Sequence, residues 1–236
     1  MSDTKLKLEK VNITLDSKVV LDNVNLEVSD GDIVSLMGSS ASGKTSLIRS
    51  IAGFHNITSG SIYIDEKIVD DSKKREGVSK RNIGVIFQDL ALFPHLTVRE
   101  NICFGLNTLS KKQQFDRAEK LEEILNIVDI KHRYPDQISG GQQQRVAIAR
   151  AIAPGPKLLL LDEPFSALDY ELKEGLMNDI KKLIKSEKIT AILITHSAEE
   201  AFKMSDKIAF ISENTIMQYA NPCLLYTSDA ADESTG

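Results

Sequence analysis

The segment Gly38-Ser-Ser-Ala-Ser-Gly-Lys-Thr45 stands between a mostly apolar run at residues 33–37 and a stretch of helical character at residues 44–52. A short apolar run is typical of a strand buried in an α/β sheet. Glycines allow successive backbone N–H groups to converge on an anion, and the helix N-terminus adds partial positive charge. The segment therefore predicts an α/β fold with a phosphate-binding loop. A plain glycine turn beside an exposed lysine is the alternative.

The residues of this loop have distinct expected roles if a nucleotide binds there. Lys44 is expected to reach the β- and γ-phosphate oxygens, and the Thr45 hydroxyl to coordinate Mg²⁺. The backbone of the loop would surround the β-phosphate. The residues predicted to bind the nucleotide here are Gly38, Ser39, Ser40, Ala41, Ser42, Gly43, Lys44, Thr45 and Ser46.

A second chemical feature is a pair of carboxylates, Asp162 and Glu163, at the end of the apolar run Leu158–Leu161. Open α/β sheets present their ligands at the carboxyl ends of strands. Asp162 is expected to hold Mg²⁺ through water, and Glu163 to polarise the attacking water as a general base. Acidic residues that merely cap an exposed strand end are the alternative.

A third feature, Ser139-Gly140-Gly141-Gln142, precedes a helix with an apolar period. The serine can cap the helix, the two glycines allow close backbone approach, and the helix N-terminus favours negative charge. The segment therefore predicts a second anion site, although taken alone Ser-Gly-Gly also fits a flexible turn.

Charge and hydropathy disfavour several classes of protein. The 236 residues carry a net charge of −5, which disfavours nucleic acid as a partner. The run Leu158–Leu161 is far shorter than the roughly 18 to 20 apolar residues that span a bilayer. Residues 1–10 are charged, unlike a secretory signal. Cys103 and Cys223 lack paired metal or redox spacing, which fits a reducing cytosol.

Strands and helices alternate after an antiparallel start. Alternating apolar and polar residues predict half-buried strands at Leu6–Ile13 and Val19–Val28. Further strands are predicted at residues 61–64, 83–87, 158–161, 191–195 and 208–211, and a mostly helical stretch at 97–152, including a Ser110-capped helix over 111–128. The pattern predicts a nucleotide-binding sheet interrupted by a helical insertion at about residues 89–151.

The three motifs together resemble the ATP-binding subunits of ABC transporters, and the extended match is ISGGQQQRVAIARAIAPGPKLLLLDEPFSALD, residues 138–169. The resemblance covers Leu6 to about Pro222. It implies a P-loop NTPase core with a mixed sheet, an N-terminal antiparallel β-subdomain and an inserted α-helical subdomain, with ATP and Mg²⁺ as cofactors. It also implies that Ser139, Gly141 and Gln142 complete the ATP site of a second subunit, either another copy or a homologous ATPase.

Other site residues follow from the same resemblance. Gln88 resembles the glutamine that contacts Mg²⁺ and the attacking water, and His196 resembles the switch histidine that contacts the γ-phosphate. Residues 166–169 resemble the loop that passes information across the dimer, with Asp169 near the nucleotide. The implied catalytic residues are Lys44, Gln88, Glu163 and His196. A solvated strand-end amide is the alternative for Gln88.

Two positions depart from the family pattern. The residue after His196 is usually aspartate in these importers, whereas here it is Ser197, which is expected to form a capping box with Glu200. The family usually places an adenine-stacking aromatic ring at the position aligned with Leu15, and no aromatic residue precedes Phe54. The sequence therefore leaves open what replaces that ring and whether adenine is preferred over guanine.

Within the family, the stretch at residues 87–101 resembles bacterial importer subunits for ferric iron, polyamines, sulfate or sugars. The resemblance implies a subunit peripheral to the cytoplasmic face of the plasma membrane, a separate membrane permease and, indirectly, a solute-binding protein. ATP would close two subunits and hydrolysis would reopen them. A non-transport ABC ATPase and a nucleotide-binding subunit without turnover are the alternatives.

The C-terminal residues match a sequence of laboratory origin. The stretch at residues 223–233 matches the translation of a widely used transposase sequencing adapter, so residues 223–236 are expected to be a non-native tail. A disordered polar tail is the alternative. The predicted organisation is a single ATPase domain over residues 1–222.

Overall fold

The structure is a computed structural model that describes residues 4–166, 168 and 170–223, without the side chains of residues 170–172. Asp169 and, apart from Cys223, the expected non-native tail lie outside the described residues. The described chain divides into two compact units. Unit 1 comprises residues 4–82 and 190–223, and unit 2 comprises residues 83–189.

The chain alternates between strands and helices after its first two strands. In chain order the elements are β1 (Thr4–Leu15), β2 (Lys18–Ser29), β3 (Ile33–Gly38), α1 (Lys44–Ala52), β4 (Ser59–Ile64), β5 (Lys67–Asp70), β6 (Ile83–Ile86), α2 (Val98–Cys103), α3 (Lys111–Ile124), α4 (Gly140–Ile152), β7 (Leu158–Asp162), α5 (Tyr170–Ser186), β8 (Thr190–Ile194), α6 (Ala198–Met204), β9 (Lys207–Ser212) and β10 (Thr215–Ala220). Short 3₁₀ turns lie at Val78–Lys80, Val128–Ile130 and Pro135–Gln137.

Unit 1 contains an antiparallel sheet with the strand order β2-β1-β4-β5. Strands β1 and β2 are joined by Asp16 and Ser17, whose φ angles are both positive, at 47° and 64°. Such a two-residue turn matches the right-handed twist of the strands it joins. Buried apolar residues mostly alternate with less buried ones, as predicted, and the alternation shifts between Leu8 and Val11 and between Leu21 and Val24. The expected N-terminal antiparallel β-subdomain is therefore confirmed.

Unit 1 also contains a mixed sheet around the apolar strand β3. Strand β3 pairs in parallel with β8, through Leu36 opposite Ile194, and with β9, through Gly38 opposite Ile211. Strand β10 then pairs antiparallel with β9. Because β3, β8 and β9 run in one direction, their carboxyl ends meet at one edge of the sheet. This edge carries the loop at residues 38–45.

Unit 2 pairs β6 and β7 in parallel, with Ile86 opposite Leu161. Helix α2 packs against α3 and α4. Arg99 of α2 forms a bidentate ion pair with the fully buried Glu122 of α3. The distance from Arg99 Nε to Glu122 Oε1 is 2.8 Å. Arg117 of α3 donates to the carbonyl oxygen of Ala153 at 3.1 Å, just past the end of α4. Ion pairs and carbonyl caps thus join the helices of this unit.

The predicted helix over residues 111–128 is too long by four residues. It ends at Ile124 because Asn126 adopts a left-handed conformation with φ of 54°. The N–H of Asn126 donates to the carbonyl of Glu123 at 3.2 Å, and that of Ile127 donates to the carbonyl of Glu122 at 2.9 Å. These two bonds form a Schellman motif, which ends a helix. Ser110 caps the start of the helix, as predicted.

Candidate functional site

Two glycines of the loop at residues 38–45 are required by its shape. Gly38 has φ of +147°, and a Cβ atom there would lie 2.2 Å from the carbonyl oxygen of Ile211. Gly43 has φ of +94°, and a Cβ atom there would lie 2.8 Å from Leu21 Cδ2. Both the backbone angles and the available space exclude a side chain. The glycines therefore form a tight loop between β3 and α1.

The amine of Lys44 lies inside this loop. The residue is 5% exposed, and its Nζ donates to the carbonyl oxygens of Gly38 at 3.0 Å and Ser39 at 2.7 Å. Nζ also lies 3.2 Å from the hydroxyl oxygen of Ser42. These three acceptors are neutral, so a phosphate oxygen can replace one of them and gain a charge-assisted hydrogen bond. The loop thus holds a cation among backbone and hydroxyl oxygens, and we call residues 38–45 with the Lys44 amine the cradle.

Helix α1 begins directly at this cradle. Gly43 is its N-cap, and the N–H of Leu47 makes the first helical bond, to the carbonyl of Gly43 at 2.9 Å. The earlier N–H groups of a helix lack helical acceptors and point out of its N-terminus. Ser39, Ser40 and Ala41 are exposed, and Thr45 and Ser46 are half-buried. The predicted nucleotide-binding residues of the loop therefore lie together around one helix N-terminus.

His196 lies at the same edge of the mixed sheet as the loop. Ile194, the last residue of β8, is opposite Leu36, which stands two residues before Gly38. The N–H of Thr195 continues the pairing by donating to the carbonyl of Leu36 at 3.4 Å. His196 is therefore level with Gly38, and its side chain is exposed. Unit 1 thus brings two of the predicted catalytic residues, Lys44 and His196, to one edge.

The expected capping box of Ser197 and Glu200 is only half present. The N–H of Glu200 lies 3.3 Å from the Ser197 hydroxyl oxygen, so the serine caps α6 as predicted. The Glu200 carboxylate instead accepts from the Thr195 hydroxyl, and the Ser197 N–H donates to Thr195 Oγ1 at 3.0 Å. The box fails because the Thr195 hydroxyl offers both an acceptor and a donor in its place.

In unit 2, the two predicted carboxylates follow one another at the end of β7. Asp162 is 5% exposed, and Glu163 is half-buried with a positive φ of 50°. The Glu163 carbonyl accepts from the Ser166 N–H at 3.3 Å and from its hydroxyl at 3.0 Å. A non-glycine residue with this backbone conformation is uncommon and is typical of a tight turn. The turn fixes the backbone from which the Glu163 side chain projects.

Gln88 joins these carboxylates at the same strand edge. It is exposed and lies in a turn just past β6, closed by the Leu90 N–H donating to the Phe87 carbonyl at 3.0 Å. Because β6 and β7 are parallel neighbours, Gln88 and Asp162 follow strand ends at one edge. Unit 2 therefore brings together the predicted Gln88, Asp162 and Glu163.

Arg150, which holds the segment after Gln88, is a residue of this site that the sequence pattern does not reveal. Arg150 of α4 donates to the carbonyl oxygens of Leu90 at 2.9 Å and Ala91 at 2.6 Å. Both residues have positive φ angles, of 57° and 44°. Its guanidinium lies 5.2 Å from the ring centre of Phe93, and burial lowers its pKa. Hydrogen bonds to backbone carbonyls leave no residue pattern from which this role could be read.

Ser139 begins helix α4 with a complete capping box. Its N–H donates to the Gln142 side-chain oxygen at 3.0 Å, and its hydroxyl oxygen lies 3.3 Å from the Gln142 N–H. Ser139 and Gly140 are exposed, and a Cβ atom at Gly140 would meet no atom within 4 Å. At Gly141 a Cβ atom would meet Leu168 Cδ2 at 3.4 Å. The predicted second anion site is thus an open helix N-terminus.

Leu15 is aligned with the position where the family usually stacks an aromatic ring on adenine. It is half-buried at the end of β1.

In residues 4–166, 168 and 170–223, no helix combines the length and the apolar character needed to cross a membrane.

Comparison with known proteins gives concordant results. A family model described as ABC transporter matches residues 21–166, more than half of the chain. The spermidine/putrescine import ATP-binding protein PotA of Bacillus cereus is 40% identical over 223 residues, covering 94% of this chain and 67% of that protein. The Fe(3+) ions import ATP-binding protein FbpC of Fusobacterium nucleatum is 39% identical over 227 residues, covering 95% of this chain and 60% of that protein.

Two solved structures share the fold. A dimeric ATP-binding cassette in a post-hydrolysis state, bound to ADP and Pi, aligns with a TM-score of 0.79 and 32% identity, covering 92% of this chain and 98% of that one. The protein cbiO1 of Clostridium perfringens, part of the ABC transporter complex cbiONQ, aligns with a TM-score of 0.87 and 27% identity, covering 98% and 94%. The chain belongs to the ABC transporter family. The expected family and fold class are confirmed.

Proposed function

We propose that this chain is an ATP-binding and hydrolysing subunit that powers solute import through a separate membrane permease, two such subunits sharing two ATP sites. The observation that carries the proposal is the cradle around Lys44, whose glycines exclude side chains and whose amine meets three neutral oxygens. Relatives at 40% and 39% identity are named as import ATP-binding proteins. The chain spans about two thirds of the length of these relatives, at 67% and 60%.

The residues predicted to contact nucleotide and metal bind and orient ATP in this proposal. The loop backbone at residues 38–45 and the first turn of α1 surround the phosphates, and Lys44 pairs with their oxygens. Thr45, Gln88 and Asp162 offer the hydroxyl, amide and carboxylate oxygens that Mg²⁺ prefers, so these residues fit the ion. When bound, Mg²⁺ neutralises charge on the phosphates.

The remaining predicted residues move a proton or complete the site. Glu163 accepts the proton of the attacking water as general base, and Gln88 orients that water. His196, level with Gly38, donates to the γ-phosphate. Ser139, Gly140, Gly141 and Gln142, at the open start of α4, bind the γ-phosphate held by the other subunit, with Asp169 beside it. A dimeric ATP-binding cassette bound to ADP and Pi, 32% identical, supports this pairing.

The proposed partners are a second copy or a homologous ATPase subunit, a membrane permease and, indirectly, a solute-binding protein. The subunit is placed peripherally at the cytoplasmic face of the plasma membrane, and residues 1–222 are proposed as one domain with a helical insertion at about 89–151. The names of the relatives favour a polyamine or ferric iron as the solute. Nothing in the described site specifically favours a non-transport ATPase.

The test is ATP-dependent pairing and turnover of the full chain. The variant Glu163→Gln should bind ATP, form a dimer in light scattering with Mg-ATP, and hydrolyse it at least about 100-fold more slowly than wild type. Lys44→Ala should instead lose ATP binding and therefore pairing. Wild-type turnover by Glu163→Gln would remove Glu163 as the base. Absence of phosphate release by the wild-type chain would favour the subunit without turnover.

A further inference from the structure

The backbone on both sides of His196 is anchored through one buried residue, Thr195. Thr195 directly follows β8 and is only 2% exposed. Its N–H donates to the carbonyl of Leu36 in β3 at 3.4 Å, and its hydroxyl oxygen accepts from the Ser197 N–H at 3.0 Å. The N–H groups of Thr195 and Ser197, the residues on either side of His196, are therefore both held, the first by strand β3 and the second by the Thr195 hydroxyl.

The buried carboxylate of Glu200 orients this hydroxyl. Glu200 is 5% exposed and accepts the hydrogen bond from Thr195. A hydroxyl has one hydrogen, so donating it to Glu200 leaves the lone pairs of Thr195 Oγ1 for the Ser197 N–H. Helix α6 is already capped by Ser197, so capping does not account for the position of this carboxylate. Burying a carboxylate costs free energy unless it is hydrogen-bonded, and here that bond serves the backbone around His196.

The adjacent residue Glu199 provides a contrast within the same helix turn. Its side chain is 50% exposed and pairs with Lys203 one turn later at 2.9 Å. Such exposed pairs contribute little to stability. Glu199 and Glu200 have the same side chain and both lie in the first turn of α6, but Glu199 is exposed and pairs with Lys203, whereas Glu200 is buried and accepts from Thr195.

We propose that Thr195 and Glu200 are positioning residues that hold His196 in the geometry required for ATP turnover. The proposal rests on the proposed function of His196 at the γ-phosphate. Thr195 and Glu200 act through the backbone of residues 195–197, and the imidazole of His196 is the group that meets the nucleotide. Their loss should therefore reduce turnover while leaving the cradle around Lys44, and hence ATP binding, intact.

The experiment is steady-state ATP hydrolysis by the full chain and its variants. Thr195→Val and Glu200→Gln should lower kcat about tenfold or more and leave KM for ATP within about threefold, since only turnover geometry is lost. Thr195→Ser, which keeps the hydroxyl, should restore kcat to within about threefold of wild type. Glu199→Gln is the matched control and should behave as wild type. Thermal melting of each variant checks that it is folded. If Glu200→Gln does not fold, the comparison of kcat between Thr195→Val and Thr195→Ser tests the proposal.

Combining Thr195→Val with His196→Ala shows whether the loss of kcat in Thr195→Val acts through His196. In a His196→Ala background, Thr195→Val should cause no further loss of kcat, because residues that act through one group are not additive. An equal fold loss in both backgrounds, or equal kcat for Thr195→Val and Thr195→Ser, would overturn the proposal. Wild-type kcat in His196→Ala would overturn it too, by removing the role of His196, whereas loss of ATP binding in Lys44→Ala tests the proposed function separately.

Discussion

Two helix N-termini in this chain are built around glycine, and they differ in what the glycines do. At the start of α1, Gly38 and Gly43 have positive φ angles of 147° and 94°, and neither leaves room for a Cβ atom. At the start of α4, a Cβ atom at Gly140 would meet nothing within 4 Å. Serine rather than glycine caps α4, with φ of −68°. The first site is thus closed by its own chain, whereas the second is open.

This difference distinguishes glycines that the fold of the chain requires from glycines that are free to face another subunit. Glycines that the local backbone requires are explained within the chain itself. An exposed glycine such as Gly140, with open space beside it, has no such explanation within its described surroundings. Because small residues permit close approach, we interpret the open site as a surface for the other subunit's nucleotide. The two sites should therefore respond differently to the same substitution.

The largest expected effect is that of Gly38→Ala. The new methyl group would lie 2.2 Å from the Ile211 carbonyl oxygen, at a backbone angle that alanine disfavours. We expect the free energy of unfolding to fall by about 2–4 kcal/mol and ATP binding to be lost. Thermal melting and calorimetric titration with ATP measure the two effects. A variant that melts and binds like the wild type would contradict the closed cradle.

Lys44→Ala tests the cation inside the cradle. Removing the amine should weaken ATP binding at least about tenfold, because charge-assisted hydrogen bonds contribute about 1.5–3 kcal/mol each. Isothermal titration with Mg-ATP gives the dissociation constants. Arg49→Ala, which removes an exposed cation from the same helix, is the control. Equal losses in the two variants would show a general charge effect rather than a contact with the phosphates.

Gly140→Ala tests the open site. The fold should be unaffected, since no atom lies near the added methyl group, and the melting temperature should match that of the control Gly175→Ala, which also has open space. Mg-ATP-dependent dimerisation, measured by light scattering in the Glu163→Gln background, should weaken about tenfold, since an inserted methyl group costs about 1–3 kcal/mol in a tight contact. Undiminished pairing would exclude Gly140 from the subunit interface.

Acid should weaken the far end of the helix that begins at the open site. Hydrogen bonds from Arg117 lower the pKa of Glu187 from its ordinary 4.5 to about 2. Arg117 also donates to the Ile152 carbonyl at 3.2 Å, at the end of α4. The stabilisation is present above pH 4.5 and is lost as the pH falls towards 2.

For the partly exposed pair of Arg117 and Glu187, we expect the free energy of unfolding to fall by about 1 kcal/mol in acid. Urea unfolding of the wild type and of Glu187→Gln at pH 6 and pH 3 checks it. The stability difference between the two proteins should shrink at the lower pH. A difference that stays constant with pH would contradict the assigned pair.

The smallest expected effect is that of Leu15→Tyr. Leu15 aligns with the position where the family usually stacks an aromatic ring on adenine, and the chain has no aromatic residue before Phe54. Restoring the ring should tighten ATP binding by about threefold to tenfold, since aromatic stacking contributes about 0.5–1.5 kcal/mol. Fluorescence titration with ATP and GTP measures affinity and base preference. Leu15→Phe should give the same gain, and unchanged affinity in both variants would remove Leu15 from the adenine site.

Much of the fold could be predicted because its determinants are local in the sequence. The alternation at β1 and β2, the apolar runs of β3, β7 and β8, and the glycine pattern of the first loop all leave such a pattern. The strands β5, with the sequence KIVD, and β10, with the sequence TIMQYA, are not predicted, because neither shows a clear apolar run or alternation. The end of α3 depends on Asn126 adopting a left-handed conformation, which the apolar period does not encode.

The supporting contacts of the candidate site were harder to predict than its motifs. Glu200 fits a capping box by spacing, but its carboxylate bonds Thr195 instead, because the threonine hydroxyl is the available donor. The partners of Arg150 are carbonyl groups of Leu90 and Ala91, about 60 positions away. Every non-terminal residue supplies a carbonyl group, so such a bond carries no side-chain signature.

Arg150 connects the end of helix α4 to the segment that follows Gln88. The helix begins beside Ser139 and carries Arg150 eleven positions later, which corresponds to a rod of about 16 Å at 1.5 Å per residue. The Arg150 guanidinium donates hydrogen bonds to two backbone carbonyl groups just after Gln88. A single helix therefore joins the open Ser139 end to the turn that contains Gln88. The open start of α4 and the segment just after Gln88 are in this sense two ends of one rod.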